Sequence, residues 1–381
     1  MKRTLYSTII FTFLLACSQP PPGKGAGEIA GTSDGSVQFR VETVASNLQV
    51  PWSIVFTPDG RIILTERPGR VRVIENGRLR SEPLATIPDV EARSESGLMG
   101  LALHPQFASN HLLYLAYAYE SPNGQRDRVV RYRETGTTLT DRKLIIEDIP
   151  AAQFHAGCRL RFGPDGKLYI TTGDATQPPL AQRLDSIGGK ILRLNDDGSV
   201  PPNNPFVGRK DARPEIWSYG HRNPQGLDWQ PDTNNLFETE HGPSGGDAPG
   251  GGDEVNIIDK GKNYGWPTIH HRQSQDGLES PVLEYTPAVA PASGTFYRGS
   301  AFPQFRGNFF FGTLRGESII RLVLDGRRVV SQERMLEKQY GRIRDVVEGP
   351  NGVIYFSTSN RDGRGSPTGD DDRILKLVPV K

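Results

Sequence analysis

A histidine and an aspartate bracket the part of the chain best suited to chemistry. His155 stands before, and Asp174 after, the stretch Arg159-Leu160-Arg161-Phe162-Gly163-Pro164-Asp165-Gly166-Lys167-Leu168-Tyr169-Ile170-Thr171. A histidine titrates near pH 6.5 and takes a proton in neutral solution; a carboxylate beside it can orient the ring and support its charged form. Leu160 and Phe162 alternate with Arg159 and Arg161, and Leu168 and Ile170 resume the alternation after Pro164-Asp165-Gly166. That period of two predicts two short strands around a tight turn, with Gly166 supplying a positive φ. His155 and Asp174 then lie together at the open mouth of the hairpin. Cys158, close by, raises a cysteine nucleophile or a His-Cys metal pair. Positions three apart on an extended strand face opposite ways, so Cys158 reads as a small buried hydrophobe.

The hairpin has siblings elsewhere in the chain. Ser53-Ile54-Val55-Phe56-Thr57-Pro58-Asp59-Gly60-Arg61-Ile62-Ile63-Leu64 is one, and Asp345-Val346-Val347-Glu348-Gly349-Pro350-Asn351-Gly352-Val353-Ile354-Tyr355-Phe356 is another. Weaker copies begin at Gly100, Gly226 and Ser300 and end at Pro105, Pro231 and Pro303. Each is followed by an expected outer strand, at 70–74, 128–132, 190–194, 254–258, 319–324 and 373–377. Sheets of four strands repeated six times predict an all-β fold, a six-bladed β-propeller of antiparallel blades over 37–381. The long stretches 176–188, 203–213, 241–252 and 270–292 are poor in strand pattern and are expected to gather on one face and build the site.

Composition bounds the rest. Lys and Arg total 45 against 44 Asp and Glu, so bulk charge argues against a nucleic-acid partner. The 43 glycines and 30 prolines among 381 residues suit many short strands joined by turns. Lys2 and Arg3 followed by an apolar run and Leu14-Leu15-Ala16-Cys17 predict a lipoprotein signal over 1–17, with Cys17 as the lipidated residue. The following 18–36, rich in Pro, Gly and Ser, is expected to be a flexible tether. The expected location is the cell envelope, on the periplasmic or extracellular side, with membrane contact only through the lipid. With Cys17 lipidated, Cys158 has no partner for a disulfide.

Four ordered strings point to a family. They are Gly220-His221-Arg222-Asn223-Pro224-Gln225-Gly226-Leu227, Glu240-His241-Gly242-Pro243, Gly252-Asp253-Glu254-Val255-Asn256 and Gly261-Lys262-Asn263-Tyr264-Gly265-Trp266-Pro267. Together they closely resemble the soluble glucose dehydrogenase and aldose sugar dehydrogenase family, PQQ-dependent six-bladed propellers. The resemblance implies His155 as catalytic base with Asp174 orienting it. It implies Arg222, Asn223, Arg315, Arg342 and Arg344 at the cofactor, and the Gly242 and Pro243 carbonyls on its Ca²⁺. Glu254 and the Tyr264 carbonyl match a second, structural calcium site. PQQ carries three carboxylates, so four arginines in a near-neutral chain suit it. The implied substrate is an aldose. No Cys-x-x-Cys-His haem motif is present, so electrons pass to an external acceptor.

One position departs from the family. Glu95, in Ser94-Glu95-Ser96-Gly97-Leu98-Met99-Gly100, stands where the family has a neutral Gln, and its carboxylate repels an anionic cofactor unless an arginine or ion compensates. Two other readings compete: a non-catalytic propeller that binds a glycan or protein, and a calcium-dependent sugar lactonase. The first lacks a use for His155 and the arginines; the second needs an acidic metal site where the matched motifs are cationic.

Overall fold

The computed structural model describes residues 28–380. Six antiparallel sheets surround a common axis. Their innermost strands are Pro51–Phe56, Leu98–Leu103, Leu160–Phe162, Pro224–Trp229, Pro291–Phe296 and Ile343–Glu348, which define blades 1 to 6. Consecutive inner strands touch all the way round, and the sixth returns to the first. The alternation around the Pro164 turn folds as expected: Leu160 pairs with Ile170 and Phe162 with Leu168. One row of these apolar side chains enters a core shared with Met99, Tyr114, Ala116 and Val129 of blade 2. Such radial packing buries faces that no single blade could bury.

The ring is closed by the two ends of the described chain. Blade 6 takes Ile343–Glu348, Ile354–Thr358 and Ile374–Pro379 from one end and Gln38–Ala45 from the other, with Val41 opposite Leu377 and Thr43 opposite Leu375. A further strand, Glu28–Gly31, pairs onto Gln38–Ala45. It falls inside the stretch expected to be a tether. The open backbone edge of Gln38–Ala45 supplies the hydrogen-bond partners that a Gly-rich composition does not reveal. Cys17, the signal segment and 18–27 lie outside the described residues.

Two other expectations are corrected. The strands expected to be outermost are the third of each blade. The outer ones are Arg78–Leu79, Leu139–Pro150, Ile216–Tyr219, Leu283–Tyr285, Arg328–Met335 and Gln38–Ala45. Arg328–Met335 shows why: its residues are mostly solvent-facing, so no apolar run marks it. The copy at Ser300 is displaced, since blade 5 begins at Pro291–Phe296 and Pro303 opens a short 3-10 turn in the next connection.

This order positions the site. Strands alternate in direction, so the segments entering each inner strand and those joining second to third strands open at the same end. Glu95, His155, Arg222 and Arg342 lie just before inner strands, whereas Asp174, His241, Arg315 and Arg364 follow second strands. Residues 203–213 join a third strand to a fourth and contribute nothing to the cavity at that end, contrary to expectation.

Candidate active site

A cavity of about 510 Å³ opens at this end of the axis. His155 and Asp174 meet in its wall, Nδ1 to Oδ1 at 2.7 Å. Gly173 makes the approach possible: a Cβ there would fall 1.8 Å from the His155 carbonyl oxygen. His155 itself has φ +57, a left-handed backbone that a non-glycine residue holds only when its surroundings fix it. Its N–H donates to Glu95 Oε2 at 3.2 Å, and the Gly157 N–H donates to Asn223 Oδ1 at 3.1 Å. Asp174 is fully buried and accepts the Trp266 indole N–H at 2.9 Å and the Thr176 N–H at 2.8 Å. With Nδ1 engaged, Nε2 is the ring nitrogen left for a ligand.

Arginines form much of the remaining wall. Arg222 is held by Asp247, the His241 carbonyl and the Ser244 hydroxyl. Arg342 donates to Asp362 at 2.8 Å and to the Leu314 carbonyl at 3.0 Å. Among the described residues, no hydrogen bond or ion pair engages the Arg315 guanidinium. Arg344 and Asn223 do not line the cavity; both are buried and joined through Gln225. Burial lowers the Arg344 pKa to about 10, with Asp362 opposing and Arg342 adding to the fall, and its Nε has no partner among the described residues. Glu95 also lines the cavity and is compensated: Arg364 Nη1 lies 2.5 Å from Oε1. Burial works to raise the Glu95 pKa, but the Arg364 guanidinium and the His155 N–H outweigh it and hold the carboxyl below its ordinary value. Burial drives the His241 pKa down to about 3, so its imidazole is neutral.

The Gly242-Pro243 turn, with both residues on the cavity, lies on the loop after Leu236–Glu240, in the blade next to that of His155. Behind it, blade 4 carries a second polar cluster. Glu238 and Glu240 alternate on one strand, and Glu254 and Asn256 lie directly across on the next, so all four share a face. His221 stacks on Tyr264 and bonds Glu240 through Nδ1 at 2.8 Å. Burial first, and repulsion from Glu240 second, push the pKa values of Glu238 and Glu254 well up; burial pushes Glu240 to about 8. Glu238 Oε1 and Asn256 Oδ1 have no partner among the described residues. These are hard oxygen donors of the kind that hold calcium.

The sequence model of the Glucose / Sorbosone dehydrogenase family matches residues 48–374. The chain belongs to that family. It is 36% identical over 359 residues to the aldose sugar dehydrogenase YliI of Escherichia coli, covering 89% of this chain and 93% of that protein. A Thermus thermophilus oxidoreductase described as a glucose dehydrogenase matches with TM-score 0.83 and 45% identity, over 89% of this chain and all of the other. The PQQ-bound aldose sugar dehydrogenase of Streptomyces coelicolor matches with TM-score 0.79 and 34% identity, over 89% and 98%.

In this member of the glucose/sorbosone dehydrogenases, the residues expected at the cofactor and at the second calcium site separate into three groups. His155, Asp174, Glu95, Arg222, Arg315, Arg342, Gly242 and Pro243 converge on or beside the cavity; Asn223 and Arg344 stand behind it; Glu254 and Tyr264 belong to the blade 4 cluster. The Tyr264 hydroxyl bonds the Ile257 carbonyl. Arg364, Trp266, Asp253, Glu238 and the free side of His241 were not singled out. Trp266, Asp253 and His241 stand in the four ordered family strings, but a string does not say which member points inward. Arg364 had no signal, because its partner Glu95 is 269 residues away.

Proposed function

We propose that the protein oxidises aldose sugars at C1 to the lactone, with PQQ as hydride acceptor, Ca²⁺ beside it and His155 as general base. The observation that carries this reading is the 2.7 Å His155–Asp174 pair in the wall of a cavity otherwise rich in arginine. The polar atoms suit a tricarboxylate. Arg344 Nε, Asn223 Nδ2 and His241 Nε2 are buried without partners, and the Arg315 guanidinium is unengaged among the described residues. Guanidinium forks match carboxylates, so Arg222, Arg315 and Arg342, which line the cavity, are the residues to hold PQQ, with Arg344 and Asn223 behind them. The Gly242 and Pro243 carbonyls are the oxygen ligands to hold its Ca²⁺. When bound, PQQ takes up the hydride and Ca²⁺ polarises its quinone carbonyl.

The chain's own part is proton handling and orientation. Asp174 accepts a hydrogen bond from Nδ1–H, which leaves the Nε2 lone pair facing the cavity. The C1 hydroxyl of the sugar gives its proton to Nε2 as hydride departs from C1, and Asp174 stabilises the imidazolium formed. Trp266 and Thr176 keep Asp174 from rotating away. The blade 4 cluster of Glu238, Glu240, Glu254 and Asn256, with the Tyr264 carbonyl, suits a second Ca²⁺ with a structural role. A lactonase is disfavoured because the cavity carboxylates are already committed: Glu95 to Arg364, Asp253 to backbone N–H groups. Electrons leave to an external acceptor, and lipid on Cys17 would hold the enzyme in the cell envelope. Adding PQQ and Ca²⁺ to the apoprotein and following dye reduction with a panel of aldoses tests the reading. Sugar-dependent reduction that needs both additions supports it; none with any aldose sinks it.

A further inference from the structure

Asp253 opens the strand Asp253–Ile258, is 2% exposed and lines the cavity. Its Oδ1 accepts the Gly242 N–H at 2.8 Å. Its Oδ2 accepts the Val289 N–H at 2.7 Å and the Ala290 N–H at 2.6 Å. The segment so held carries the next one. The Val289 carbonyl accepts the N–H groups of Arg315 and Gly316 at 3.0 and 2.9 Å, and the Ala290 carbonyl accepts that of Leu314 at 2.9 Å. Three pieces of cavity wall, from two blades and the connection between them, therefore hang on one carboxylate.

The Gly242-Pro243 turn has particular need of such a brace. The peptide joining the two residues has no N–H, so the Gly242 carbonyl cannot be aimed through its own amide. Its direction is set from the preceding peptide, which is pinned at both ends: the His241 carbonyl by Arg222 at 3.1 Å and the Gly242 N–H by Asp253. No side chain can wedge the turn, since a Cβ on Gly242 would fall 2.1 Å from the Gly252 carbonyl oxygen. We propose that Asp253 is a positioning residue that presets the Gly242 carbonyl for the cofactor's Ca²⁺. This rests on the PQQ and Ca²⁺ reading above. Groups that orient metal ligands in this way are commonly worth 10- to 100-fold in metal affinity.

Asp253→Asn leaves one oxygen and turns an N–H donor on one of the three amides. PQQ binding to apoprotein, followed by quenching of intrinsic fluorescence, is titrated against Ca²⁺. The half-saturating Ca²⁺ concentration should rise about 10- to 100-fold, while PQQ affinity at saturating Ca²⁺ stays within about threefold. Thr286→Val removes the 2.9 Å bond to the Gly252 N–H in the same loop and should leave the Ca²⁺ requirement unchanged. An unshifted Asp253→Asn curve, or an equal shift in Thr286→Val, overturns the proposal. If the Asn variant does not fold, hydrogen exchange on wild-type apoprotein decides: the Gly242, Val289 and Ala290 amides should be protected before any ligand is added, and exchange at open-loop rates refutes the brace. If wild-type protein binds no PQQ at any Ca²⁺ concentration, the functional reading fails, and amide protection alone judges Asp253.

Discussion

Glu95→Gln removes one negative charge from the cavity wall without changing its shape. In the native protein that charge is engaged by Arg364, at 2.5 Å, and by the His155 N–H at 3.2 Å. A Gln oxygen can still accept the His155 N–H, so the base keeps its position. Arg364, stacked on Phe154 at the cavity, loses its counterion and presents a net positive charge. A unit charge roughly 10 Å from an anion is worth about 1.7 kcal/mol at an effective dielectric of 20. The Glu95 and Arg364 side chains are 21% and 48% exposed, so solvent and salt reduce this to about 1 kcal/mol. PQQ should therefore bind about fivefold more tightly to the Gln variant, and the gain should shrink as salt rises. The turnover number of the loaded enzyme and its pH profile should hold. Titrating PQQ into both proteins at fixed Ca²⁺ and two salt concentrations measures this. Weaker binding by the Gln variant, or a gain indifferent to salt, would refute the reasoning.

Other outcomes follow from the same geometry. Glu238, Glu240 and Glu254 have folded pKa values raised by burial, Glu240 to about 8, so between about pH 4.5 and 8 the unfolded chain binds fewer protons than the folded one. Stability without Ca²⁺ should thus fall as pH rises through that window, by up to about 1.4 kcal/mol per pH unit per proton. Excess Ca²⁺ should abolish most of the loss; thermal melts at about pH 5 and 8 with EDTA or Ca²⁺ check it. Asp174→Asn should cost roughly 10²-fold in turnover with PQQ affinity kept, because the neutral amide does not support the imidazolium and turns an N–H donor toward either the His155 Nδ1–H or the Trp266 N–H. A chain cut to 37–381 should keep a β-dominated circular dichroism spectrum, since the closing strand Gln38–Ala45 remains, whereas a cut to 46–381 should unfold cooperatively at lower temperature or fail to fold.

The propeller was legible because the first two strands of a blade and the turn between them carry a repeated alternation with Pro and Gly at fixed places. The outer strands were not: Arg328–Met335 is mostly polar on its exposed side, and Arg78–Leu79 and Leu283–Tyr285 are too short to carry an alternation. His155 and Asp174 were legible as a pair because a single hairpin separates them. Arg364, Trp266 and Asp253 reach the site from other blades or loops, and only the closed ring brings them there: Trp266 meets Asp174 across 92 residues of sequence. The charge at Glu95 was visible but its compensation was not, because the compensating arginine lies at the far end of the chain. The blade 4 cluster was half visible, as Glu254 and Tyr264, since cross-strand register and not spacing sets Glu238 and Glu240 beside Glu254.

The central claim is that His155 removes a proton from the sugar while other residues bind the cofactor. His155→Ala, loaded with PQQ and Ca²⁺, measures it most directly through two readouts on one sample: the PQQ titration and the rate of aldose-dependent dye reduction. The account predicts a PQQ affinity within about threefold of wild type and a rate lower by roughly 10²- to 10⁴-fold, the usual worth of a general base. An unchanged rate with PQQ bound would contradict it.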